Sequence, residues 1–156
     1  MNDYIKTGIL SKKDLRLPNN EQLKKGVAVI ECIQKIPCNP CVTSCPVNAI
    51  SMKYINSLPE IDYDKCIGCA KCVGICPGLA IFVIKYIDYN KALVTLPYEM
   101  LPIPDKGDII EGLDRKGEKI DNVEVKKVIK KGKTAVVTVK TTQKNAMDIR
   151  NIRVKK

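Results

Sequence analysis

Hydrophobic and polar positions divide the chain into stretches of different character. Residues 1–26 are mostly polar, with Pro18-Asn19-Asn20 as a turn signal and a short charged run from Glu21 to Lys25. They read as an N-terminal extension that packs on the outside or meets a partner. Val27-Ala28-Val29-Ile30 is an unbroken apolar run of the length of a buried strand. Residues 49–54 and 60–64 alternate as two short strands, and residues 81–87 and 92–96 flank Asp88-Tyr89-Asn90, which predicts a hairpin turning near Asn90. Tyr54, Tyr63 and Tyr86 read as sheet residues with the ring packed and the hydroxyl in water.

Pro97, Pro102 and Pro104 mark an expected boundary. Beyond it, residues 107–112 suggest a strand and 114–118 a turn. Residues 123–129 and 134–140 flank Lys130-Lys131-Gly132-Lys133 as a second hairpin. Residues 146–154 fit a helical turn or a strand. The expected fold class is α+β, in three parts: an extension over 1–26, a cysteine-bearing domain over 27–97, and a small basic antiparallel β domain, a half-barrel, over 98–156.

Composition narrows the chemistry. The 156 residues are 45% hydrophobic but hold only six Tyr, one Phe and no Trp, so cores of Ile, Val and Leu are expected. There is no His, which excludes Ser-His-Asp and Cys-His catalysis, haem on a proximal His, Rieske clusters and His-containing zinc sites. The longest apolar run, Leu79 to Ile84, is far short of the roughly 20 residues of a membrane helix. Residues Met1 to Lys6 lack the pattern of a secretory signal. A soluble, cytoplasmic chain is the expectation.

The eight cysteines at 32, 38, 41, 45, 66, 69, 72 and 76 are clustered, which in a cytosolic chain points to metal binding rather than disulfides. Cys66 to Pro77 reads C-x2-C-x2-C-x3-C-P, the bacterial iron–sulfur run whose fourth Cys serves the other cluster. Closely spaced thiolates let one loop wrap three corners of a cubane, and backbone N–H groups can offset its charge. A zinc site takes two separated pairs and gives no reason for a third evenly spaced Cys.

A shift of 31 residues places Cys38 on Cys69, Cys41 on Cys72, Cys45 on Cys76 and Pro46 on Pro77, with Val42, Ala49 and Ile50 falling on Val73, Ala80 and Ile81. On these motifs, residues 32 to about 84 resemble the bacterial-type dicluster ferredoxin domain, which implies a pseudo-two-fold repeat and two 4Fe–4S clusters. The resemblance assigns Cys66, Cys69, Cys72 and Cys45 to one cluster and Cys38, Cys41 and Cys76 to the other. The fourth ligand of the latter departs from the pattern, because the shift puts Lys35 where a Cys is expected. Either Cys32 ligates with Ile33 to Pro37 looped out, or Cys32 is a core thiol and that cluster is 3Fe–4S, or 4Fe–4S with a non-Cys ligand or an open iron. Ligation by Cys32 is the reading adopted.

Formal net charge is +10: +4 in residues 1–97 and +6 in 98–156. Two oxidised clusters at about −2 each bring the first part to roughly zero, so the basic surplus lies in the C-terminal part. Lys126, Lys127, Lys130, Lys131, Lys133 and Lys140 could meet an acidic protein surface. Nucleic acid is the weaker option, since no aromatic residue follows position 98 for stacking.

Together these features point to an iron–sulfur electron-transfer subunit of a larger oxidoreductase, without substrate chemistry of its own. The alternative is a freely diffusing ferredoxin, which leaves the extension and the basic segment unexplained. Val27 to Cys32, Ile36 to Cys41 and the basic tail are also similar to iron–sulfur subunits that accompany flavin-dependent amine or amino-acid dehydrogenases. That similarity implies a flavoprotein partner and a hetero-oligomer, and exposed iron–sulfur centres carry the expectation of an anaerobic or low-oxygen cell.

Overall fold

The computed structural model describes residues 3–155. The N-terminal segment is a short helix, α1 (Tyr4–Thr7), a 3-10 turn at Lys12–Asp14, and α2 (Asn20–Lys25). The charged run from Glu21 is thus helical. A capping box starts it, with the Gln22 N–H donating to Asn19 Oδ1 and the Asn19 N–H to Gln22 Oε1, both at 2.9 Å. Leu23 anchors the helix in the core.

The remaining elements are β1 (Val27–Ile30), α3 (Pro40–Ser44), β2 (Ile50–Ser51), β3 (Glu60–Ile61), α4 (Lys71–Ile75), β4 (Ile81–Tyr86), β5 (Lys91–Tyr98), β6 (Ile109–Leu113), β7 (Lys119–Lys131), β8 (Thr134–Thr142), α5 (Gln143–Ala146) and β9 (Asn151–Arg153). The fold is α+β. The expected strands at 49–54 and 60–64 shrink to two residues each, because the chain between them closes a turn in which Ser57 and Tyr54 hydrogen-bond to each other. Residues 146–154 begin at the end of a helix and finish in a strand, so the segment divides between its two readings.

The 31-residue shift has a counterpart in the backbone. Ile30 pairs with Ile81 and Ile50 pairs with Ile61; adding 31 to one partner and subtracting it from the other turns the first pair into the second. The Glu31 N–H donates to the Ala80 carbonyl and the Asp62 N–H to the Ala49 carbonyl, both at 2.8 Å and related by the same exchange. Asn48 and Leu79, 31 apart, share φ of 52°. The shift also maps α3 onto α4, and the two helices pack together.

Seven strands form one antiparallel sheet in the order β1-β4-β5-β8-β7-β6-β9. The expected boundary after residue 97 falls inside β5, whose every residue from Lys91 to Tyr98 pairs with β8. Strands from either side of it therefore share one sheet and one apolar core, running from Leu23 to Ile152 and built largely of Val and Ile. Pro97 is tolerated because β4 stops pairing at Thr95, leaving β5 an edge on that side. Pro97 lies within β5, and Pro102 and Pro104 follow its end. Tyr63 also differs from expectation. It lies outside any strand and is buried, and its hydroxyl donates to the Arg16 carbonyl at 2.6 Å instead of facing water.

Candidate iron–sulfur centres

The cysteines lie on loops that α3 and α4 terminate. Pro40, with its φ already helical, occupies the first turn of α3 and places Cys41 on the helix; Cys45 caps its end. In α4 Cys72 is on the helix and Cys76 is the cap. Cys41, Cys66 and Cys72 are buried, Cys69 is exposed, and the other four are half-buried.

Two separate cavities gather these thiols. Cys32, Cys38, Cys41 and Cys76 line one of about 290 Å³. Cys45, Cys66, Cys69 and Cys72 line a narrower one, whose remaining walls are Ala, Val, Ile and Gly. The structure thus groups all eight predicted residues in fours and exchanges Cys45 and Cys76 between the halves. Cys32 joins the first four, and Lys35 lies exposed on the loop that carries the chain out between Cys32 and Cys38.

Electrostatics reflects this grouping. Burial raises the Cys72 thiol to about 12, with Cys66, Cys69 and Cys45 adding to the effect. Burial raises Cys41 too, reinforced by Cys76, Cys32 and Cys38. In Cys45 burial pushes up, but N–H groups of Val47, Ala49, Ile50 and Asn48 together outweigh it and lower the thiol below its ordinary value. The Ala49 N–H donates to Cys45 Sγ at 3.2 Å and the Ala28 N–H to Cys66 Sγ at 3.3 Å. Such donors stabilise thiolate and cluster charge alike. Thiolates in apolar cavities, served by backbone N–H groups, fit iron–sulfur clusters. Among the described residues no three Cys, Asp or Glu side chains form a site for a single metal ion, whereas a cubane spreads its thiolate bonds over several irons.

The Cys66–Cys69 loop needs glycine at one point. Gly68 has φ of 66°, and a Cβ there would sit 2.8 Å from the Gly26 carbonyl oxygen.

Sequence reasoning missed two sets of residues around the first cavity. Gly8 and Leu10 of the N-terminal segment help to line it, and that segment is held by a 2.8 Å Lys12–Asp148 ion pair and the Tyr63–Arg16 hydrogen bond. Glu31, also in the lining, accepts from Arg115 Nε at 3.2 Å and from Arg150 Nε at 2.7 Å. All three side chains are 10% exposed or less. A signal existed: only four of 27 basic residues are Arg, and a planar fork is the cation suited to buried ion pairs. The six lysines of the basic segment lie on β7, β8 and their turn, away from both linings.

Comparison with known proteins agrees with this geometry. Residues 31–80 match the 4Fe-4S dicluster domain family. The polyferredoxin-like subunit of an aliphatic sulfonate oxidoreductase from Pyrococcus furiosus is 37% identical over 57 residues, 36% of this chain and 33% of that protein. A sulfite dehydrogenase subunit from Allochromatium vinosum is 37% identical over 60 residues, 38% of this chain and 23% of that protein. A selenate reductase subunit from Mesobacillus selenatarsenatis is 47% identical over 38 residues, 24% of this chain and 13% of that protein. The chain spans a third or less of the length of these curated relatives. No solved structure matches it. Matched motif, paired thiol quartets and N–H donors together identify residues 31–80 as a dicluster ferredoxin domain carrying two 4Fe–4S clusters.

Proposed function

We propose that the chain is the iron–sulfur electron-transfer subunit of a multi-subunit oxidoreductase of the cytoplasm, passing single electrons to or from a flavoprotein dehydrogenase subunit. The observation that carries this is the division of eight free thiols into two quartets, in a chain whose relatives are named as oxidoreductase subunits. Cys32, Cys38, Cys41 and Cys76 hold the first cluster, and Cys66, Cys69, Cys72 and Cys45 the second. The halves are read as a pseudo-two-fold repeat, supported by their exchanged strand pairs.

Each cluster supplies reversible one-electron exchange. The protein holds the two side by side through the packed helices α3 and α4, keeps water from the buried thiolates with apolar walls, and offsets their charge with N–H groups. Among the described residues no helix is long and apolar enough to cross a membrane.

A partner is supported by the surface beside the first cavity. Ile33, Ile36, Tyr54, Ile55 and Leu58 are exposed there on two loops, joined where the Cys38 N–H donates to the Ile55 carbonyl at 3.2 Å. Clustered exposed apolar side chains of this size mark interaction sites. The test is anaerobic affinity capture of the full chain from native extract, followed by mass spectrometry and a visible spectrum. A stoichiometric flavoprotein is expected, and an Ile36→Asp, Ile55→Asp double variant should lose it while keeping its iron. A chain that arrives alone and is reduced by several unrelated enzymes would establish the diffusing carrier instead.

A further inference from the structure

A buried ion cluster stands at one of the two cavities and has no counterpart at the other. Glu31 precedes Cys32 and lines the first cavity. Its carboxylate lies between the guanidinium groups of Arg115 and Arg150. Arg150 is further fixed by donating Nη1 to the Ile149 carbonyl at 2.6 Å and the Ala146 carbonyl at 3.2 Å, with its guanidinium 4.7 Å from the Phe82 ring centroid. Asp148, 3.6 Å from Arg115, is matched by Lys12. Two cations and one carboxylate leave a net +1. Glu31 is the member that lines the cavity, with Arg115 and Arg150 bound to its carboxylate, so the carboxylate and the guanidinium groups act on the centre with opposite sign. Among the described residues, none lining the second cavity is charged.

Charge in a low-dielectric interior acts more strongly than charge in water, and the potential of an iron–sulfur cluster follows the charge around it. A nearby cation stabilises the reduced cluster, which carries one more negative charge than the oxidised one. We infer that the Glu31–Arg115–Arg150 cluster sets the reduction potential of the first 4Fe–4S centre and leaves that of the second unaffected. The inference rests on the ligand assignment proposed above. In the reduction step the oxidised first cluster takes one electron from a one-electron donor, which becomes oxidised, and is itself reduced; no bond or proton moves.

Glu31, Arg115 and Arg150 are positioning residues, and charge reversal of effect separates tuning from scaffolding. Glu31→Gln takes the cluster from +1 to +2, and Arg115→Gln takes it from +1 to zero. Both break the Glu31–Arg115 pair. The full chain, anaerobically reconstituted, is titrated with dithionite and followed by electron paramagnetic resonance. The first cluster's step is identified as the one that Cys32→Ser alters. Glu31→Gln should raise that step and Arg115→Gln should lower it, each changing the electron-sharing equilibrium about tenfold, or about 59 mV for one electron. The second step should stay in place, and Arg115→Lys, which keeps the charge, should restore the first. Shifts of both variants in one direction, shifts confined to the second cluster, or no shift would overturn the inference. A wild-type chain without about eight irons and eight sulfides would overturn the cluster assignment instead, and is counted first.

Discussion

Arg150, at the head of β9, donates its Nε to Glu31 Oε1 at 2.7 Å across 119 residues of chain. Glu31 directly follows β1, and β1 and β9 are the two edges of the seven-stranded sheet. The sheet thus curls until its outer strands are joined by an ion pair in place of a backbone ladder. Removing one member of a buried pair costs about 3–5 kcal/mol when the other is left uncompensated. Glu31 keeps Arg115, so Arg150→Met should cost less than that while still lowering the denaturant midpoint of the anaerobic holoprotein. A midpoint close to wild type would show that the join contributes little.

Cys32 decides what the first cluster is. Cys32→Ser should alter the spectrum or iron count of one cluster and leave the other as in wild type. If both clusters keep their signals and their iron, Cys32 is a wall residue of the cavity and not a ligand.

Gly68→Ala tests the loop of the second cluster. The substitution introduces a side chain at φ of 66° and a 2.8 Å approach to the Gly26 carbonyl; the left-handed conformation alone costs roughly 1–2 kcal/mol. Iron release from one cluster to a chelator should accelerate. The other cluster, whose cavity Gly68 does not line, should release iron at the wild-type rate.

Residues of the N-terminal segment help to enclose the first cavity. Deleting residues 1–11 removes Gly8 and Leu10 from its wall and leaves Lys12 and Arg16 in place. Exposure to air should then bleach one cluster faster while the second decays as before. Equal acceleration of both would point to general loosening.

Burial raises the Tyr63 hydroxyl from an ordinary 10.0 to about 12, against a smaller downward pull from Arg16. The folded chain therefore holds this proton more tightly than the unfolded chain, and its contribution to stability falls as pH rises between those values. Tyr63→Phe should flatten the alkaline decline of the denaturation midpoint in that window. A decline of unchanged steepness would assign it to other groups.

Local pattern carried the cofactor chemistry. Ligand spacing, the Cys-Pro pairs and the 31-residue offset are properties of short segments, because a cluster is wrapped by one loop plus a single distant thiol. The strands from 81 onward were legible for the same reason, since each buries one continuous apolar face. Cys32 was left open by spacing alone; it takes folding of the Ile33–Pro37 bulge to bring it beside Cys38, Cys41 and Cys76. The prolines from Pro97 onward could not show that β5 pairs with β8, because a proline reports on its own backbone donor and not on the strand opposite. Pairing of β5 with β8, and of Glu31 with Arg115 and Arg150, joins positions tens to more than a hundred residues apart. Sequence by itself determined that this chain would bind two iron–sulfur clusters. Only the tertiary structure decided that the basic C-terminal strands join β1, β4 and β5 in one sheet and bring Arg115 and Arg150 to Glu31 in the wall of the first cavity, because such contacts depend on how the whole chain packs and leave no local periodicity to read.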